Sequence, residues 1–113
     1  MKTEPLSSKQ IASLQARYRA LATQLGTFEA LSQGSVMPQP PRAWKWTRKV
    51  RGKTVTLGLS AEKARRMKQA IANYRVLETL IGEMREITQK LILESPESAP
   101  IPLRVRRPKQ ALT

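Results

Sequence analysis

The sequence predicts an α+β fold: two amphipathic helices packed antiparallel, a β-hairpin inserted between them, and a disordered basic C-terminal tail. Three observations predict it. Apolar residues recur every three to four positions near the start and again beyond residue 60. Between these stretches, β-branched and aromatic residues flank Arg51-Gly52, a turn signal. The segment 95–113 holds four of the eight prolines and no periodicity. With 113 residues the chain suits one small domain, residues 1–94, followed by the tail 95–113.

In the first helix, Ile11, Leu14, Tyr18, Leu21, Leu25 and Phe28 share one face, so residues 8–25 read as helical. Pro5 and Ser7-Ser8 are start signals, and Gly26 weakens continuation. Residues 33–42, QGSVMPQPPR, contain three prolines and read as an extended linker inside the domain, neither helix nor central strand. Residues 43–59 form the hairpin. If Arg51 and Gly52 are its loop, Trp44 pairs with Leu59, Trp46 with Leu57 and Arg48 with Val55, all on one face. The opposite face then carries Lys45, Thr47 and Lys49 across from Gly58, Thr56 and Thr54. A three-residue loop with a bulge at Gly52 would shift these pairings.

Ser60 is a suitable N-cap for a long helix running to about Glu94. Its seam is Met67, Ala70, Tyr74, Leu77, Ile81, Met84 and Leu91, widened by Ile71, Leu80 and Ile87 and interrupted at Thr88. Such a helix is roughly 50 Å long, more than the first helix can cover. Part of it must meet the hairpin or another chain, and a homodimer or partner helix along this seam is one possibility.

Composition removes several classes of chemistry. There is no Cys, His or Asp, and all eight acids are Glu. Thiol catalysis, disulfides, His or Cys metal sites and a Ser-His-Asp triad are therefore absent from this chain. The five glycines are isolated, so no phosphate-binding loop is present. Glu78, Glu83 and Glu86 are the densest carboxylates, and Glu86 with Lys90 reads as an i,i+4 pair on a solvated helix face. No catalytic residue, metal or cofactor is predicted. No run approaches the ~18 apolar residues of a membrane span, and the opening residues lack an apolar signal region. A cytoplasmic protein without a membrane partner is the expectation.

Charge points to a partner. Lys and Arg number 21 against 8 acids, a net charge of +13. Residues 42–68 alone hold ten cations and one acid. The candidate nucleic-acid-binding residues are Lys45, Arg48, Lys49, Arg51 and Lys53 of the hairpin with Lys63, Arg65 and Arg66 of the following helix. Cations in the first turns of a helix oppose its macrodipole, which phosphates at that end would explain; solubility is the plainer alternative. Lys45, Lys49 and the threonines suit a two-stranded ribbon laid on a backbone or in a major groove, without identifying any base contact. Trp44 and Trp46 sit between cations and could stack on unpaired bases, but sharing a face with Leu57 and Leu59 favours packing against a helix. The tail residues Arg104 to Lys109 suit either a flexible phosphate-following arm or a plain terminus.

The order of helix, Gly34-Ser35, linker, WTRKVRGKTVT at residues 46–56, an Ala-Glu-Lys helix start and Asn73-Tyr74-Arg75 before a Leu-rich helix resembles a small uncharacterised bacterial family. Its members are often encoded in mobile-element and transposase neighbourhoods. The resemblance spans residues 8–93, and the hairpin is its most specific part. Relatives carry a cysteine cluster before the hairpin; residues 37–43 here contain none, so no metal carries over. The resemblance implies a mobile-DNA setting. The function expected is therefore non-catalytic nucleic-acid binding, DNA before RNA, as an accessory to a transposase or similar enzyme. The alternatives are a helical interaction or dimerisation module and a structured-RNA or ribosome-associated protein.

Overall fold

In the computed structural model, which describes residues 4–104, Ser7 caps helix α1 (Ser8–Leu25). Its hydroxyl accepts from the Gln10 amide, and the Gln10 side chain accepts from the Ser7 N–H at 2.8 Å, a reciprocal capping box. Strands β1 (Ser35–Gln39), β2 (Ala43–Val50) and β3 (Lys53–Leu59) follow, then helix α2 (Ala61–Glu94). The Ser60 hydroxyl accepts the Lys63 amide at 3.2 Å, as the sequence predicts.

The helices run antiparallel. The Leu6 amide donates to the Glu94 carbonyl at 2.8 Å, and eleven residues later Arg17 meets Glu83 at 2.6 Å. Between these points Leu6, Leu21, Ile87 and Leu91 form the buried cluster, with Ile11, Leu14, Tyr18, Leu80, Met84 and Ile101 packed on it. Among the described residues, only Leu21 of the large side chains is completely buried. Residues 26–34 then run along α2 towards its start: the Asn73 amide side chain donates to the Ala30 carbonyl at 3.0 Å and the Ser32 N–H to the Ala70 carbonyl at 3.1 Å. The sheet lies against the first half of α2, where Ala64, Ala70 and Ile71 are buried. The two alanines let strand and helix backbones approach closely.

The hairpin register is the one the sequence predicts: Trp44 faces Leu59, Trp46 faces Leu57 and Arg48 faces Val55. The loop is Arg51-Gly52, with φ of 51° and 80°, the left-handed pair of a type I′ turn. Two segments differ from expectation. The linker contains a third strand, since Ser35–Gln39 pairs antiparallel with β2 from Thr47 to Ala43. A proline without an N–H is tolerated in a sheet at an edge, and β1 is an edge strand in the order β1-β2-β3. Gly34, at φ 100°, admits the chain to this edge, because a Cβ there would lie 2.3 Å from the Thr47 carbonyl oxygen. The second difference is at the tail. Residues 95–104 fold back over the helix ends, with Ile101 on the core cluster; residues 105–113 of the expected tail lie outside the described residues.

Candidate nucleic-acid interface

The pleat divides the sheet into two unlike faces. Trp44, Trp46, Arg48 and Val50 on β2 and Lys53, Val55, Leu57 and Leu59 on β3 share the face turned to α2. Lys68 of α2 sits over the Trp44 ring, its Nζ 4.0 Å from the centroid. Trp46 donates its indole N–H to the Gln33 carbonyl at 2.7 Å and carries the Arg48 guanidinium 3.9 Å above its ring. Both indoles are half-buried and each has a cation on its face. The Arg48 Nη1 is buried without a hydrogen-bond partner, and the ring quadrupole beneath it supplies the compensating attraction. Trp44 meets α2 through Lys68, whereas Trp46 is held by Gln33 and Arg48; neither indole joins the buried core, and Leu57 on the same face is 51% exposed.

The other face is open. It carries Lys45, Thr47 and Lys49 on β2 and Thr54 and Thr56 on β3, with Ser35, Met37 and Gln39 on β1. The Thr47 and Thr56 hydroxyls lie 3.2 Å apart in a hydrogen bond across the strands. This face holds no aromatic ring and no carboxylate. Indeed no acid occurs from residue 30 to residue 61, while six cations do. Among the described residues, the ion pairs all involve helical cations, and none reaches the sheet. A count by broad segments hides this carboxylate-free span, which a scan for runs without acids reveals.

β1 pairs with β2 only as far as Thr47, whereas β3 continues to Val50. Residues 48–55 therefore project as a bare two-stranded ribbon ending in the Arg51-Gly52 turn. The sequence reading missed this projection, since it missed the strand whose end defines it. Lys49, Arg51 and Lys53 are exposed on it; Lys45 lies behind them, half-buried on the same face as Lys49.

The helical cations stand apart from the open face. Lys63 and Arg66 line a shallow groove with Leu31, Ser32, Leu59 and Met67, on the α2 side of the sheet. Glu62 accepts from Arg65 Nη2 at 2.6 Å and from Arg66 Nε at 3.2 Å. Those hydrogen bonds, with Arg65 the larger influence, hold the Glu62 carboxyl at a pKa of about 2. A glutamate in the first turn also suits the macrodipole. Of the eight candidate residues, Lys45 and Lys49 lie on the open face, Arg51 is in the turn, Lys53 opposite Val50 shares the face of Arg48, and Lys63, Arg65 and Arg66 stand on α2. At the end of the ribbon Arg51 thus sits between Lys49 on one face and Lys53 on the other, and the helical cations stand apart.

Among the described residues, no three Cys, His, Asp or Glu side chains gather as metal ligands, and no helix is long and apolar enough to cross a membrane. Comparison with protein-family models, curated proteins and solved structures finds no match to the chain.

Proposed function

We propose that the protein is a non-catalytic nucleic-acid-binding accessory that places its projecting β2–β3 ribbon and the adjoining open sheet face against duplex DNA. The observation that carries the proposal is the carboxylate-free sheet, whose cations have no ion-pair partner among the described residues. Unneutralised cations on a rigid surface release counterions from a polyanion, which is the main source of such affinity. Lys45, Lys49, Arg51 and Lys53 are the phosphate contacts, and Lys63 adds charge from the α2 side.

The form of the nucleic acid follows from what the open face lacks. Single-strand binding draws on aromatic platforms, and both tryptophans are on the opposite face of the sheet, each with a cation over one side of its ring. A two-stranded ribbon fits the roughly 12 Å major groove of B-form DNA, whereas the A-form major groove is too deep and narrow to be read by side chains. Work beside a transposase or another DNA-processing enzyme is the setting that the family resemblance implies. Fluorescence anisotropy with a labelled duplex, the matching single strand and a structured RNA tests the proposal. Four phosphate contacts give a slope of log affinity on log salt of about −3.6 for the duplex. A salt-independent signal, or no binding to any of the three, rejects nucleic-acid binding; tighter binding to single strand or RNA rejects the duplex assignment.

A further inference from the structure

We infer that two copies of this chain associate through the open face of α2, the two helices crossing antiparallel at Ile81–Gly82. α1 covers only part of the apolar width of α2. One flank of the α1–α2 contact is closed by the Arg17–Glu83 ion pair. The other flank is a shallow groove lined by Tyr18, Ile81, Met84, Arg85, Thr88 and Gln89. Ile81 in this lining is 39% exposed, and Ile92, one turn beyond Thr88, is 51% exposed.

Gly82 adds an independent observation. It lies deep inside a 34-residue helix, where glycine is disfavoured relative to alanine, yet a Cβ at this position would meet nothing within 4 Å. Nothing in the packing of the single chain calls for a glycine there. A second helix crossing over it does, because small residues at a crossing let the axes draw together.

Charge selects the occupant. Two molecules of net charge +13 repel each other over most of their surfaces, but residues 69–94 hold three cations and four acids, the one broad stretch without a positive surplus. A two-fold axis between positions 81 and 82 sets position 78 of each copy opposite position 85 of the other, one helical turn from the axis on either side. Those positions are Glu78 and Arg85, and neither has an ion-pair partner among the described residues. Each Glu78 thereby faces the partner's Arg85, so the surface is complementary to itself.

Sedimentation equilibrium of the full chain without nucleic acid, from micromolar to submillimolar concentration, tests the inference. The wild type is expected to show a monomer–dimer equilibrium. Arg85→Glu sets like charges opposite one another and should weaken the dimer about tenfold, and adding Glu78→Arg should restore it by exchanging the two charges. Gly82→Leu should abolish the dimer while circular dichroism shows the helix content retained, since leucine is the better helix former. A chain that stays monomeric throughout, a dimer indifferent to Arg85→Glu or Gly82→Leu, or a double variant that fails to recover would each overturn it.

Discussion

Arg51 occupies the left-handed region at φ 51°, a conformation that costs most L-residues energy and that asparagine tolerates far better. The preferred dipeptide for this turn is Asn-Gly, so Arg-Gly gives up stability at the point where the ribbon projects furthest. Such a local departure is expected where a side chain is retained for function. Arg51→Asn should therefore separate the two properties. Thermal unfolding is expected to shift upward by about 2 to 4 °C, corresponding to roughly 0.5 kcal/mol, while the salt slope for duplex DNA becomes shallower by about 0.9. A melting temperature that falls, or a slope that does not change, would refute this account of Arg51. The register around the turn was legible from the sequence because side chains alternate strictly along a strand: once the loop is two residues long, every pairing from Trp44–Leu59 to Arg48–Val55 is determined. What alternation does not encode is the fate of Arg48, whose guanidinium lies on its own strand neighbour Trp46.

At the scale of elements, the first turns of α2 are tied together by Glu62, and α1 is tied to α2 by Glu83. Both carboxyls are held below the usual glutamate range, Glu62 at about 2, by hydrogen bonds from Arg65 and Arg17 respectively. A carboxyl depressed in the folded state contributes stability at neutral pH. That contribution begins to fade as the pH drops below the unfolded value near 4.5 and is gone once the pH passes below the folded value. Both pairs are solvent-exposed, so salt should weaken the effect. Thermal midpoints measured from pH 6 down to pH 2 are expected to fall at low salt, with a shallower fall at high salt, and Glu62→Gln should remove part of the drop. A midpoint independent of pH over that interval would contradict it. α1, α2 and the β2–β3 hairpin were all readable from periodicity, caps and the turn. β1 was not, because three prolines within four positions, Pro38, Pro40 and Pro41, argue locally against a strand. Only the pairing with β2, a contact made across the turn at Pro40 to Arg42, makes an edge strand of it.

Across the whole molecule, α2 is shared by two packing regions. Its second half meets α1 around Leu21, Ile87 and Leu91, while its first half supports the sheet through Ala64, Ala70 and Ile71. This arrangement also explains why the distribution of the candidate cations was only half legible. Parity assigns the strand residues to faces, but the side on which Lys63, Arg65 and Arg66 emerge depends on how α2 rolls against the sheet, which no local pattern records. Because the ribbon projects from the sheet and the buried cluster lies at the far half of α2, damage to one region should leave the other largely intact. Leu21→Ala removes the one large side chain that is completely buried among the described residues and should cost about 3 kcal/mol. In native-state hydrogen exchange, amides of α1 and of the second half of α2 are expected to lose protection, while those pairing β2 with β3 stay near wild type. The same variant should bind duplex DNA with an unchanged salt slope at temperatures where α1 has already loosened, since Lys45, Lys49, Arg51 and Lys53 all belong to the β2–β3 hairpin. Uniform loss of protection would mean that the two regions unfold as one unit. In that case binding should fall in step with the folded fraction.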